Sequence, residues 1–198
     1  MKKLLRIDSS PRKNSSISRQ LADVLQEKIE NLGNHTTVSR DVYYDDLIKL
    51  GNEDSVTAYF TPVNQQTEIQ REAITASNTL ATEFADADTY LFAVPMYNFG
   101  VTAGLKAYID LIARAGISFK YTENGPEGLL KGKKAYVIIT TGGTKLGTEV
   151  DYVSGYMTTF LNFVGITDIE FINSDQVMVN AEKILSDAKE EINELIIK

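Results

Sequence analysis

Five short apolar runs alternate with helix-period segments along this 198-residue chain, and that alternation predicts an α/β fold built on a parallel sheet. Three observations carry the prediction. The runs lie at about 3–7, 36–42, 89–94, 134–141 and 168–172, each short enough for a strand and too short for a buried helix. The third, Thr89-Tyr90-Leu91-Phe92-Ala93-Val94, is apolar without alternation and is bounded by acids and Pro95, as a strand covered on both faces should be. Each run is followed by residues recurring at helical spacing, as right-handed crossovers on a parallel sheet require.

In chain order, Lys3 to Ile7 is the first strand. A serine-rich loop follows, Asp8-Ser9-Ser10-Pro11-Arg12-Lys13-Asn14-Ser15-Ser16-Ile17-Ser18. Leu21, Val24, Leu25 and Ile29 then mark one face of a helix that fades at Asn31-Leu32-Gly33. Thr36 to Val42 is the second strand, with His35 a surface residue at its start. Residues 43–66 read as an irregular, acidic connection, in which Tyr59 and Phe60 either cover a site or partner surface or pack on their own domain. Thr67 to Ala85 reads as one helix with Ile69, Ala73, Leu80 and Phe84 inside. After the third strand, Thr102 is a candidate N-cap for a helix carrying Leu105, Tyr108, Ile109 and Ile112. Asp110 and Arg114 stand four apart on it, the spacing of a solvated ion pair. Phe119 and Tyr121 alternate before the turn-rich Asn124-Gly125-Pro126-Glu127-Gly128. Lys134 to Thr141 is the fourth strand, Tyr152 to Val164 a helix with a wide apolar face, Asp168 to Ile172 the fifth strand, and Ala181 to Ile197 the last helix. The order that fits is 2-1-3-4-5, with helices on both faces of the sheet. The whole of 1–198 is expected to be a single domain.

Composition narrows the function. A net charge of −7 argues against nucleic acid as a main partner. The absence of cysteine excludes disulfides, thiolate metal sites and thiol catalysis, and one histidine leaves no multi-histidine metal site or convincing Ser-His-Asp triad, so no metal is expected. The apolar stretch near the N-terminus is broken by Arg6 and ended by Asp8, too short for a signal sequence, and no stretch approaches the length of a membrane span. A cytoplasmic protein is the expectation.

In the order 2-1-3-4-5, ligands bind where the loops after strands one, three and four meet. The first of these loops opens a helix, whose free N–H groups and positive dipole end attract an anion; Ser10, Ser16 and Ser18 add hydroxyl donors suited to a phosphate monoester. It has no glycine and matches neither common phosphate-loop motif. The alternative is that the serines only cap the helix. The second loop, Pro95-Met96-Tyr97-Asn98-Phe99-Gly100, offers a thioether, two rings and an amide to a flat, partly apolar ligand. The third, Thr140-Thr141-Gly142-Gly143-Thr144, allows close backbone approach and exposes N–H groups.

The segments Ser9-Ser10, Ser16-Ile17-Ser18, Pro95 to Phe99, Ala113-Arg114-Ala115-Gly116, Phe119 to Leu129 and Gly142-Gly143 resemble the FMN-dependent, NADH-using azoreductases, quinone reductases of the flavodoxin-like fold. The resemblance covers essentially the whole chain and is densest from Pro95 to Gly143. It implies that Ser10, Ser16, Ile17 and Ser18 hold the FMN phosphate; that Met96, Tyr97, Asn98 and Phe99 line the ribityl chain and ring; and that Thr140, Thr141, Gly142 and Gly143 meet the ring's polar edge. It places Tyr121 near the substrate face as the one candidate catalytic side chain. It implies a homodimer in which Phe163, with Tyr59 and Phe60, comes across the interface. NADH would be the electron donor, and quinones and azo compounds the substrates. Thr140-Thr141 and Thr144-Lys145 stand where some relatives carry Ser-Arg and a histidine, which bears on substrate preference rather than flavin binding. Two other functions fit parts of the pattern: a flavodoxin-type electron carrier without NADH turnover, and a hydrolase using Ser9 or Ser10, since some relatives once bore a phosphodiesterase label.

Overall fold

A computed structural model describes residues 1–33 and 35–197. Strands β1 (Lys2–Asp8), β2 (His35–Asp41), β3 (Thr89–Pro95), β6 (Lys134–Thr140) and β7 (Asp168–Ser174) form one sheet in the order β2-β1-β3-β6-β7. Every neighbouring pair is parallel. This is the order expected for the five main strands, and all seven residues of β3 are buried.

Successive strand side chains point to opposite faces, and here the two faces carry two cores. Leu5, Ile7, Tyr90, Phe92, Val94, Val137 and Ile139 pack against α4 (Thr75–Asp86), α5 (Ala103–Ile112) and α6 (Tyr152–Val164). Leu4, Leu91, Ala93, Tyr136, Ile138 and Ile172 pack against α1 (Ile17–Asn31) and α7 (Ala181–Glu194). On the first face the Phe84 and Tyr90 rings lie 4.5 Å apart, and the Tyr90 hydroxyl donates to Phe84 O at 2.7 Å. Lys28 of α1 donates to Ile192 O and Asn193 O, so the two helices of the second face hold each other.

Several elements differ from the sequence reading. Residues 43–66 contain α2 (Glu53–Phe60) and a 3₁₀ turn, Val63–Gln65. Helix α2 starts because Asn52 and Ser55 form a reciprocal capping box: Asn52 Oδ1 accepts from Ser55 N at 2.9 Å, and Asn52 N donates to Ser55 Oγ at 2.8 Å. The expected helix from Thr67 is two, α3 (Glu68–Ala73) and α4, broken at Ile74. The break buries Ile74 and leaves Ile69, expected inside, 64% exposed. The last helix ends at Glu194 rather than Ile197.

Asp110 does not pair with Arg114. It takes Lys106 at 2.6 Å, while Arg114 lies 4.4 Å above the Tyr59 ring and donates to Ser77 Oγ. Burial lowers the pKa of that guanidinium.

Strands β4 (Phe119–Thr122) and β5 (Gly125–Gly128) form an antiparallel hairpin. It is fastened to the end of α6, where Leu130 N donates to Val164 O at 2.9 Å. A Cβ on Gly128 would stand 2.1 Å from Gly165 N and 2.3 Å from Val164 C, both backbone atoms. Backbone cannot swing aside as a side chain can. Gly128→Ala is therefore expected to cost about 3 kcal/mol, the top of the usual overpacking range, measured by urea unfolding.

Candidate functional site

On the face covered by α1, the strands change from apolar to polar as they approach their carboxyl ends. Leu4 gives way to Arg6 and Asp8, Ile138 to Thr140, and Ile172 to Ser174. The N-terminus of α1 sits over this polar end. Ser16 is its N-cap, accepting from Arg19 N, and its hydroxyl lies 3.1 Å from that of Ser18. The first helical N–H groups, on Ile17 and Ser18, have no acceptor within the helix. The result is a cleft of about 420 Å³. Ser10, Ser16, Ile17, Met96, Tyr97, Thr140, Thr141 and Gly142 line it, so all three loops singled out in the sequence converge there.

The serine loop is held from both sides. Ser9 is fully buried, and both its N–H and its hydroxyl donate to Ala93 O of β3, at 3.1 and 2.7 Å. Thr102 caps α5 through Leu105 N and donates to Ser9 O at 2.9 Å, tying the loop to α5. Arg19 donates to Ser10 O at 2.6 Å and pairs with Asp41 at 2.7 Å and Asp8 at 3.3 Å. Burial pushes the Asp8 carboxyl up, against the pull of Arg6 and Arg19. The Ser9 hydroxyl is thus committed to structure. His35 opens β2 beside Lys2, at the other end of the strands from the serine loop, and its Nδ1 is 3.2 Å from Gly33 O. Neither Ser9 nor Ser10 has an imidazole base beside it, which removes the support for a serine hydrolase.

The loop after β3 is a tight turn. Tyr97 N donates to Gly100 O and Gly100 N to Tyr97 O, at 3.0 and 3.1 Å. Its two central residues, Asn98 and Phe99, have φ of 48° and 70°. Asn adopts this left-handed region readily; a bulky Phe does so only under constraint, and such strain clusters at functional sites. The turn leaves Tyr97 part-exposed in the cleft lining and Phe99 half-exposed beside it.

The third loop carries Thr141, whose hydroxyl accepts from Gln176 N at 2.9 Å and donates to Thr144 O. That hydroxyl fixes the loop rather than facing a ligand.

The remaining expected residues stand apart from the cleft lining. Ser18 is buried beneath it, Asn98 and Phe99 form the adjoining turn, and Gly143 follows Gly142. Tyr59 lies under Arg114, and Phe60 is 80% exposed on α2. Tyr121, on the β4–β5 hairpin, is 70% exposed; its ring is 5.3 Å from Phe119, which in turn is 4.5 Å from Phe163. Arg12, Ser15 and Pro95, which the sequence reading placed in these loops without a site role of their own, also line the cleft, as do two residues it missed, Val177 and Met178. The last two follow β7, a fourth carboxyl-end loop whose signal was the apolar Val177-Met178-Val179 after polar Asn173-Ser174-Asp175. A larger groove, about 570 Å³, runs between α4 and the earlier parts of β1 and β2, away from these loops.

Hydroxyl donors and a helix N-terminus at one end, with a thioether, a ring and a glycine-containing backbone at the other, fit a phosphate monoester carrying a flat group. Among the described residues there is no cluster of three or more metal-ligating side chains, and no helix is long and apolar enough to cross a membrane. Phe99→Gly relieves the strained backbone but loosens the unfolded chain, so its unfolding free energy is expected to stay within about 1 kcal/mol of wild type. Chemical denaturation checks this.

The family described by a flavodoxin-like fold matches residues 2–196. Among curated relatives, the FMN-dependent NADH:quinone oxidoreductase 1 of Hahella chejuensis is 49% identical over 192 residues, covering 96% of this chain and 93% of its own. The protein of the same name from a Jannaschia species is 43% identical, covering 98% and 99%. Among solved structures, an FMN-dependent NADH-azoreductase from Bacillus anthracis in complex with FMN superposes with a TM-score of 0.89 at 29% identity, covering 98% and 97%. With its sheet order, its convergent loops and these relatives, the chain belongs to the flavodoxin-like-fold family and, within it, to the FMN-dependent NADH:quinone oxidoreductases.

Proposed function

We propose that this protein binds FMN in the cleft at the α1 N-terminus and reduces quinones and azo compounds at the expense of NADH. The observation that carries the reading is the convergence of the serine, Met96–Tyr97 and Thr140–Gly142 loops on one cleft, in a chain 49% identical to an FMN-dependent NADH:quinone oxidoreductase. With FMN bound, the site supplies two-electron transfer from NADH to the oxidant in two half-reactions.

The chain's own residues bind and orient. Ser10, Ser16, Ile17 and Ser18 hold the phosphate through hydroxyls and N–H groups, with the helix dipole adding favourable charge. Met96, Tyr97, Asn98 and Phe99 line the ribityl chain and one side of the ring. Backbone N–H groups of Thr140, Thr141, Gly142 and Gly143 stand at its polar edge, where they stabilise negative charge in the reduced state. Tyr121 borders the substrate and holds a proton at its hydroxyl, the only protein group given a catalytic part.

The chain acts as a single domain, 1–198, and pairs with a second copy. Val56, Phe60 and Val63 lie exposed around α2, and Phe99, Tyr121 and Tyr152 are part-exposed or exposed elsewhere on the surface. Such a spread of apolar side chains is what a homodimer would cover. In the dimer Tyr59, Phe60 and Phe163 complete the pocket of the other copy. We place the protein in the cytoplasm.

The purified protein is expected to be yellow, to bleach under anaerobic NADH and to recover its colour with a quinone. A protein that keeps FMN but shows no NADH bleaching would be an electron carrier instead. FMN at a hundred times its Kd should stabilise the fold by about 2.7 kcal/mol. Ser10→Ala removes one hydrogen bond to a charged group, so FMN Kd should rise at least about tenfold. Lost ester hydrolysis with unchanged flavin binding would point to the hydrolase.

A further inference from the structure

The turn after β7 is an unusual place for ordered backbone. β7 is an edge strand, and nothing in the topology requires its outgoing loop to fold back. Yet Gln176 N donates to Thr141 Oγ1 at 2.9 Å, Val177 N to Thr141 O at 3.0 Å and Met178 N to Gly142 O at 2.9 Å. Val179 N closes the turn on Gln176 O at 2.9 Å. Gln176 takes φ of 56°, a left-handed conformation that a non-glycine residue adopts at a cost. Three hydrogen bonds therefore hold a strained turn against the Thr141–Gly142 loop, and a fourth closes the turn on itself.

What the turn displays is apolar. Met178 is 84% exposed and Val179 77%. Val177 and Met178 line the cleft together with Ser10, Ser16, Met96 and Thr140. Val179 instead borders a separate groove with Asp175 and Asp187. The packing on Gly142 is close, since a Cβ there would stand 3.1 Å from Met178 Sδ. Holding an exposed thioether at the mouth of a polar cleft is unfavourable unless something apolar covers it there.

Building on the FMN reading of the cleft, we infer that Val177 and Met178 are cofactor-contacting residues: the Gln176–Val179 turn is an apolar wall of the FMN cleft that slows release of the bound flavin. The three loops anticipated for the site supply polar contacts and one side of the ring. This fourth loop supplies apolar contact from the β7 end and acts on retention. The flavin is the occupant that matches it, because the same cleft holds phosphate donors within its lining and only a mononucleotide with a large apolar ring system uses both.

The test is FMN retention by the loaded protein, read as flavin absorbance left after serial dilution and filtration. Met178→Ser is expected to raise the dissociation constant about three- to tenfold and to speed release. Met178→Leu keeps the apolar contact and should stay within about twofold of wild type. Val179→Ser, in the same turn but facing the other groove, should also stay within about twofold. Loss of flavin from Val179→Ser as large as from Met178→Ser would overturn the wall, since the turn's integrity rather than contact would then be responsible. So would Met178→Ser retaining flavin like wild type. Wild-type protein that holds no FMN at all would instead overturn the reading of the cleft, and the wall with it.

Discussion

The constraint from which this structure follows is the double burial of β3. A strand with no solvent-facing side must have sheet on both edges and helices on both faces. That condition makes β1 and β6 its neighbours and divides the core into two layers that share no side chain. It also fixes where the chain leaves the sheet. Next to β1, from which the connections run outward in both directions, the loop after β3 emerges at the crevice where open α/β sheets receive ligands. The Ser9 bonds to Ala93 O then bring the first loop against the same strand, and Met96 N, donating to Thr140 O at 2.8 Å, brings the third. Each of the three loops is positioned by β3 or by its immediate continuation.

The polar end of the α1 face is the second half of the design. Arg6, Asp8 and Arg19 form a charged cluster beneath the serine loop, where the apolar core would otherwise continue. At Asp8 desolvation outweighs the attraction of Arg6 and Arg19, as its raised pKa indicates, so the cluster's value lies in fixing geometry rather than in net stability. The guanidinium of Arg19 reaches the Ser10 carbonyl and orients the loop without entering the cleft. Apart from Arg12, the polar side chains lining the cleft are neutral hydroxyls.

Much of this was legible in the sequence because period and apolarity decide it. The unbroken run from Thr89 to Val94 located the central strand, and Thr102 and Ser16 sit at the caps that hydroxyl chemistry favours. What escaped depended on contacts distant in sequence. The Asn52–Ser55 capping box lacks the usual acidic partner, so α2 looked irregular. Ile74, not Ile69, is buried because the chain breaks between α3 and α4, and periodicity has no means of marking a break inside a continuous pattern. Arg114 abandons Asp110 because Tyr59 and Ser77, from two other helices, offer a drier partner set. Val177 and Met178 escaped because an edge strand's outgoing loop carries no expectation of contact, and only the left-handed Gln176 brings it back to the cleft.

The lining of the cleft is scattered along nearly the entire polypeptide: the serine loop near its beginning, the Met96 turn at the middle, the glycine loop beyond, and Met178 close to its end. During synthesis, β1 waits about eighty residues for its neighbour β3, and β3 waits again for β6. An early fragment could make α1 and its serines but would have no opposing wall. The cleft has opposing walls only after β3, β6 and the turn that follows β7 have all been made and folded, so cofactor capture is placed late in the assembly of this domain.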